Sequence, residues 1–314
     1  MKNNMNTKPI ICFGEILWDI FPSGKKIGGA PFNVAYHLNK MGIDGRMISC
    51  VGNDELGREL LTKVKESSIP IDECQITDKY DTGTVIAEID KNNEAHYTIV
   101  EPVAWDFIEW KDEYENLVKN SQGFVFGSLG SRNNLSKSTL LRLIELAPYK
   151  VFDINLRPPY ISQVSIIEFM KKADLVKMNK AELRLLLEWL GKEYTSEEEA
   201  VKYVRKNFSL DGLIVTKGSK GAVYCDQYQY IYSEAIQVEI KDTVGSGDSF
   251  LAGFLAKRAQ GFSILDSIKE AIVLGAFITN HIGACPVYDL EEFQKFRKNK
   301  SIKSNTFVED QTIN

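Results

Sequence analysis

Histidine is scarce in this chain, cysteine is scattered, and neither sign of charge prevails. The three histidines (His37, His96, His281) and five cysteines (Cys12, Cys50, Cys74, Cys225, Cys285) form no CxxC pair and no metal-ligand spacing. That spacing argues against a zinc site and a disulfide framework, and the odd, dispersed cysteines fit thiols in a reducing compartment. The 38 basic and 43 acidic residues leave a net charge of -5, which argues against nucleic acid or an anionic membrane as partner. The basic run RKNKSIK at 297–303 lies in a polar C-terminal stretch and reads as a solvated tail. No apolar run has the length of a membrane span, and the polar opening MKNNMNTKPI lacks a signal-peptide core, so a cytoplasmic location is expected.

Three common motifs are missing as well. There is no GxxxxGK[ST], hence no Walker-type phosphate loop. The glycines at 245–247 do not continue as GxGxxG, because Phe250 stands where the last glycine belongs, which disfavours a dinucleotide dehydrogenase. GxSxG is absent too, and with it the usual hydrolase elbow.

What is present is a regular succession of strands and helices in 314 residues that are 44% hydrophobic, enough to bury a large core. IICFGEIL reads as a buried strand followed by a Gly/Pro/Lys-rich loop. PFNVAYHLNKMG reads as a helix with Pro31 in its first turn and Gly42 past its end. RMISCVG, GFVFGSL, KVFDINL, ADLVKMN and GLIVTKG read as further strands, each followed by a helical pattern or, after the last, by a hairpin from GAVYC and YQYIYSEA. The end reads as helices over 248–260, 264–281 and 289–299. Such alternation calls for right-handed crossovers and an α/β fold with a mostly parallel central sheet covered by helices on both faces. No linker divides the chain, so a single domain over 1–314 is expected. The stretch 82–107 departs from the pattern: it alternates with period two and turns at KNN, as a β-hairpin would. It is either a sheet edge or a lid over a site.

The unusual residues gather at strand ends, where open parallel sheets bind ligands. Asp19 follows the first strand, and GGAPFN (28–33) leads into the first helix with Gly28, Gly29 and Asn33. Arg157 follows KVFDI, NKAE (179–182) follows LVKM, and TKGSKGA (216–222) follows LIV. Each has an ordinary structural role open to it as a cap, a turn or a surface charge. In DTVGSGDSF (242–250), Gly245, Ser246 and Gly247 precede an acid at the start of an apolar-periodic helix that Gly261 can end. A helix start bares unpaired N–H groups and the positive end of the macrodipole, a natural place for an anion. A plain glycine-rich turn capped by Asp248 is the alternative.

Taken together, GGAPFNVAYHLNKMG and DTVGSGDSF resemble the two signature segments of the ribokinase-like (phosphofructokinase-B type) sugar kinases. NKAE resembles that family's N-x-x-E motif and VTKGSKGA its nucleotide loop, in the family's order from about residue 10 to about residue 290. GEILWDIFPSGKKIGGAPFN and FDINLRP are most similar to bacterial fructokinases. The resemblance implies a ribokinase-like fold with a small β lid from about 18–30 and 82–107, and transfer of the γ-phosphoryl of ATP to a sugar hydroxyl. It assigns Asp248 as base and Gly245, Ser246 and Gly247 as anion hole. It gives Asp19, Gly28, Gly29, Asn33 and Arg157 to the sugar, and Asn179, Glu182, Thr216, Gly218, Gly221 and Asn280 to the nucleotide. Asn179 and Glu182 would also serve Mg²⁺, through water, and Asp242 and Val244, near Cys285, a monovalent cation such as K⁺. The implied partners are a small sugar, ATP and a second copy paired through the lid. D-fructose is the expected acceptor; 2-keto-3-deoxygluconate, ribose, a nucleoside, or a silent sugar-binding regulator are the alternatives. Two residues depart from the family pattern: Ser246 where alanine is commoner, and Phe32 where a small residue is usual beside the sugar-binding glycines.

Overall fold

The computed structural model describes residues 8–89, 95–298, 300 and 302–308. Its fourteen strands are β1 (Ile10–Phe13), β2 (Leu17–Phe21), β3 (Gly24–Gly28), β4 (Gly45–Gly52), β5 (Cys74–Thr77), β6 (Thr84–Ile89), β7 (Ala95–Ile99), β8 (Gly123–Gly127), β9 (Lys150–Asp153), β10 (Leu175–Asn179), β11 (Gly212–Thr216), β12 (Ala222–Cys225), β13 (Gln229–Ser233) and β14 (Ser304–Val308). Ten of them form one sheet in the order β14-β13-β12-β11-β10-β9-β8-β1-β4-β5. From β11 to β5 every pair is parallel, whereas β12, β13 and β14 run antiparallel at the other end.

The parallel strands are apolar on both faces because both faces are covered. In β1, Ile10 and Cys12 point into one core and Ile11 and Phe13 into the other, the period-two alternation of a strand between two layers. Helices Ala30–Lys40, Ser246–Ala259 and Ile264–Thr279 supply the first core; Asn134–Leu146, Lys180–Trp189 and Glu197–Asn207 supply the second. The chain order places β4 on one side of β1 and β8 on the other, which opens a crevice at the carboxyl ends of the central strands.

The remaining four strands make a separate small sheet, β3-β2-β6-β7. Its base is held by a buried ion pair: Arg132 donates to both Asp106 oxygens at 2.6 and 2.7 Å and to the Val100 carbonyl at 2.8 Å. The guanidinium lies 4.0 Å from the Trp105 ring centroid and 4.5 Å from that of Tyr160, whose hydroxyl donates to the Ile99 carbonyl. The hairpin end after β7 is thereby fastened to the main core, while the small sheet projects from it.

Most expected elements form, with differences that have local causes. IICFGEIL is two strands in two sheets, split by Gly14 at φ 136. The expected loop after it contains β3, whose exposed Lys25 and Lys26 and half-buried Ile27 pair with β2. The hairpin within 82–107 ends at Ile99, residues 104–107 form a short 3-10 turn, and the KNN turn lies outside the described residues. The C-terminal tail supplies an additional strand, β14, because β13 would otherwise leave an open edge. No disulfide is present among the described residues, and no helix among them is long and apolar enough to cross a membrane.

Candidate active site

The crevice is closed on one side by the start of the helix Ser246–Ala259. Gly245 sits in the left-handed region at φ 74, where a side chain would come within 2.5 Å of the Ala284 Cβ, so only glycine fits the turn. No side chain caps this helix. The N–H of Ser246 leans on the Thr243 carbonyl at 3.3 Å, and those of Gly245, Gly247 and Asp248 have no hydrogen-bond partner among the described residues. Three of the first N–H groups therefore face the crevice unsatisfied, with the positive end of the macrodipole behind them. The Ser246 hydroxyl points elsewhere, accepting from Thr279 at 3.2 Å. Its replacement of a smaller residue thus leaves the backbone donors in place.

Asp248 is 7% exposed and does not cap its own helix. Its Oδ2 accepts from Asn33 Nδ2 at 2.7 Å, and Asn33 Oδ1 accepts from the Cys285 thiol at 3.2 Å. Burial, and then the nearby Asp153, push the Asp248 carboxyl above the usual range, while Lys177, Asn33 and Arg157 pull it back. A carboxylate moved toward neutrality and aimed into a crevice is a better proton acceptor than a solvated one.

Two cavities meet at this helix start. The larger, about 540 Å³, is lined by Asp19, Gly29, Asn33, Arg157 and Asp248, together with Glu15, Asp153 and Lys177. The second, about 390 Å³, is lined by Thr216, Gly218, Gly221, Ser246 and Phe250, with apolar walls from Ile236, Val238 and Ile272. Asn179, Thr216, Thr243 and Gly247 belong to both, so a group in one can reach a group in the other past Gly247. Val85, Tyr97 and Ile99 of the small sheet also line the larger cavity, which sets the hairpin over the site and not at an edge of the main sheet.

The other expected residues take varied places. Gly29, at φ 112, lets the chain pass where a Cβ would meet the Glu15 carbonyl at 2.3 Å. Gly28 lies behind Asp19, not on the cavity wall; a Cβ there would stand 2.4 Å from Asp19 Oδ2. Phe32 is wholly interior and leaves the cavity untouched. Asn179 and Glu182 form a reciprocal cap. Asn179 Oδ1 accepts from the N–H groups of Ala181 and Glu182, and the two Glu182 oxygens accept from Leu156 and Asn179 N–H. Gly221, at φ 93, packs so tightly on Ser233 that its role is also structural. Asn280 is not on either cavity wall; its amide holds the Glu239 carbonyl, and its neighbour Thr279 lines the smaller cavity instead. Asp242 ties two loops together by accepting from Val244 and Gly283 N–H. Val244 lines the larger cavity.

Three residues of the site lie outside the expected set. Glu15, 4% exposed, accepts from Ala30 N–H with one oxygen and leaves the other unpartnered. Burial raises its pKa to about 7. Lys177 and Asp153 form a buried pair at 2.7 Å. The sequence signal for the last two was a charge beside apolar neighbours in each strand, LVKM and VFD. Asp19 also titrates high, at about 6, again because of burial, with Arg157 and Lys26 opposing.

Residues 17–289 match the model of the pfkB family carbohydrate kinases, and the chain belongs to that family. It is therefore a sugar kinase, a phosphoryl-transferring enzyme of ribokinase-like α/β fold. It is 28% identical over 315 residues to the ATP-dependent 6-phosphofructokinase of Thermoanaerobacterium thermosaccharolyticum, covering 94% of each chain. It is also 28% identical over 326 residues to the probable fructokinase-5 of Arabidopsis thaliana, covering 94% of this chain and 99% of that one. Among solved structures, the fructokinase of Vibrio cholerae O395, in its fructose, ADP and calcium ion bound form, superposes with a TM-score of 0.78 at 25% identity. The match covers 92% of this chain and 99% of that one.

The buried carboxyl of Glu15 has a consequence for stability. Because its folded pKa lies above the ordinary value, the native state holds a proton that the unfolded chain releases, and stability falls as pH rises from about 4.5 to about 7. Glu15→Gln should therefore be more stable than the parent at pH 8, by about 1–3 kcal/mol, with the gap closing below pH 5. Urea midpoints at the two pH values check this; equal gaps at both would show that Glu15 does not titrate this way.

Proposed function

We propose that this enzyme transfers the γ-phosphoryl group of ATP to the 6-hydroxyl of D-fructose. The carrying observation is the position of Asp248: a buried carboxyl at an uncapped helix start, on the wall between two cavities that share Gly247. The 390 Å³ cavity, with its apolar walls and Gly218, suits the nucleotide; the 540 Å³ cavity, rich in polar groups, suits the sugar. At its acceptor end Glu15 and Asp19 oppose the single guanidinium of Arg157, which supports an uncharged polyol over a sugar phosphate.

In the reaction, Asn33 holds Asp248 Oδ2 and leaves Oδ1 for the acceptor hydroxyl. Asp248 takes the hydroxyl proton as the sugar oxygen attacks phosphorus. The free N–H groups of Gly245, Gly247 and Asp248 receive charge that develops on the phosphoryl oxygens, joined by Ser246 if its N–H swings from Thr243. The remaining lone pairs of Glu182 and Asn179 suit a metal-bound water better than direct ligation, because each oxygen already accepts a backbone N–H. Mg²⁺ held there would neutralise phosphate charge. Asp242, by joining the loops at Val244 and Gly283, would shape carbonyls for K⁺. The small sheet acts as a lid that excludes water, and its outer face, where Ile86 is exposed, pairs with a second copy.

With Mg-ATP, the purified protein should phosphorylate fructose with kcat/KM at least about tenfold above ribose, adenosine, 2-keto-3-deoxygluconate and fructose 6-phosphate. A preference for any of the others would replace the acceptor, and no transfer at all would support a silent binder. Light scattering at micromolar concentration should give the mass of a dimer; a strict monomer would remove the pairing of lids. Asp248→Asn keeps the size of the side chain but cannot accept the proton, so kcat should fall by roughly 10²–10⁴ with little change in ligand affinity. Near-normal turnover in a folded Asp248→Asn protein would sink the base assignment.

A further inference from the structure

Lys177 and Asp153 stand opposite each other in register on β10 and β9, in the middle of the main sheet. They are 5% and 4% exposed, and Nζ lies 2.7 Å from Asp153 Oδ2. Their strand neighbours Phe152, Val176 and Met178 are apolar and wholly buried. An ion pair in such a place is rarely more stable than a well-packed apolar pair, so stability alone gives no reason for it. The pair lies on the wall of the larger cavity, and the ammonium faces the helix start: a Cβ added to Gly247 would stand 3.3 Å from Lys177 Nζ. Asp153 is its one hydrogen-bond partner among the described residues, which leaves two of its three protons for another acceptor.

On the sugar-kinase reading above, we infer that Lys177 is a catalytic cation, contacting the transferring phosphoryl beside the N–H of Gly247, with Asp153 as the residue that positions it. The bond from phosphorus to the ADP oxygen breaks, the bond to the sugar oxygen forms, and the hydroxyl proton passes to Asp248. Lys177 stays protonated throughout and gives up no proton. Its charge compensates the phosphoryl oxygens, which a neutral helix start does only in part. Burial works against that charge, but Asp153 on β9, Asp248 on the facing helix and Glu182 on the following helix outweigh it and hold the lysine protonated. Lys177 in turn favours the ionised form of Asp248, which also feels Arg157 and Asp153.

The test compares Lys177→Arg, Lys177→Met and the double variant Lys177→Met/Asp153→Asn, which leaves no unpaired buried charge. For the folded double variant, kcat with fructose should drop by roughly 10²–10³ while the sugar KM changes less than about threefold. The acidic limb of the kcat/KM profile of Lys177→Met should move up, because Asp248 loses a cation while the Asp153 charge stays; in the double variant the two losses offset each other. Lys177→Arg should keep that limb near its original position. A folded double variant with kcat within about threefold of the parent would overturn the inference. So would a folded, slow Lys177→Met variant whose acidic limb has not moved, since that is the mark of a purely structural pair. If the parent transfers phosphoryl to no acceptor, the kinase reading fails first and the inference with it; an active parent beside an active double variant defeats the inference alone.

Discussion

The uncapped start of the helix Ser246–Ala259 is the constraint around which the site is arranged. A half-buried helix end with unsatisfied N–H groups is unfavourable unless something answers it, and among the described residues no side chain does. The fold keeps it in place by packing. Gly253 allows the helix to lie against Ala271 of the next helix, where a Cβ would come within 3.1 Å of the Ala271 Cα, and Phe250, Leu251 and Phe254 anchor it in the core. The rigid body of the helix holds its own first turn open to the crevice. Asp248 inherits its position from that turn, and Asn33, from the opposite helix, fixes its rotamer.

Burial then sets the chemistry. Asp248, Glu15, Asp19 and Glu182 all titrate above their ordinary values, chiefly because water has been removed from around them. So many carboxyls in one space would repel each other and the phosphates alike without cations to oppose them. Lys177 and Arg157 are those cations on the cavity wall, one buried and held by Asp153, the other exposed at the rim. The arrangement gives up stability at neutral pH, since raised acids favour the protonated native state.

The small sheet depends on a different interaction. Its connection to the core runs through Arg132, stacked between Trp105 and Tyr160 and paired with Asp106. Trp105 is wholly buried at the foot of the small sheet. Meanwhile Val85, Tyr97 and Ile99 reach over the cavity. A charged, stacked cluster thus anchors the projecting sheet at one end.

By itself the sequence determined the alternation of strands and helices, the helix start at DTVGSGD, the turn glycines Gly29, Gly42 and Gly261, and the membership of a sugar-kinase family. Each of these is local: a period, a small residue where only a small residue fits, or a motif in contiguous order. The tertiary structure decided the rest. Lys177 and Asp153 are 24 residues apart and look like stray charges in two apolar strands until parallel pairing sets them side by side. Glu15 is one acid among many until the crossing of β1 and the first helix buries it with an oxygen unanswered. Asn179 and Glu182 spend their oxygens on a helix cap, and Asn280 lies off both cavity walls, neither of which a motif can express. The reason is physical: side-chain type and spacing along the chain are local, but burial and register depend on which distant strand arrives alongside, and these set charge, pKa and hydrogen-bond direction.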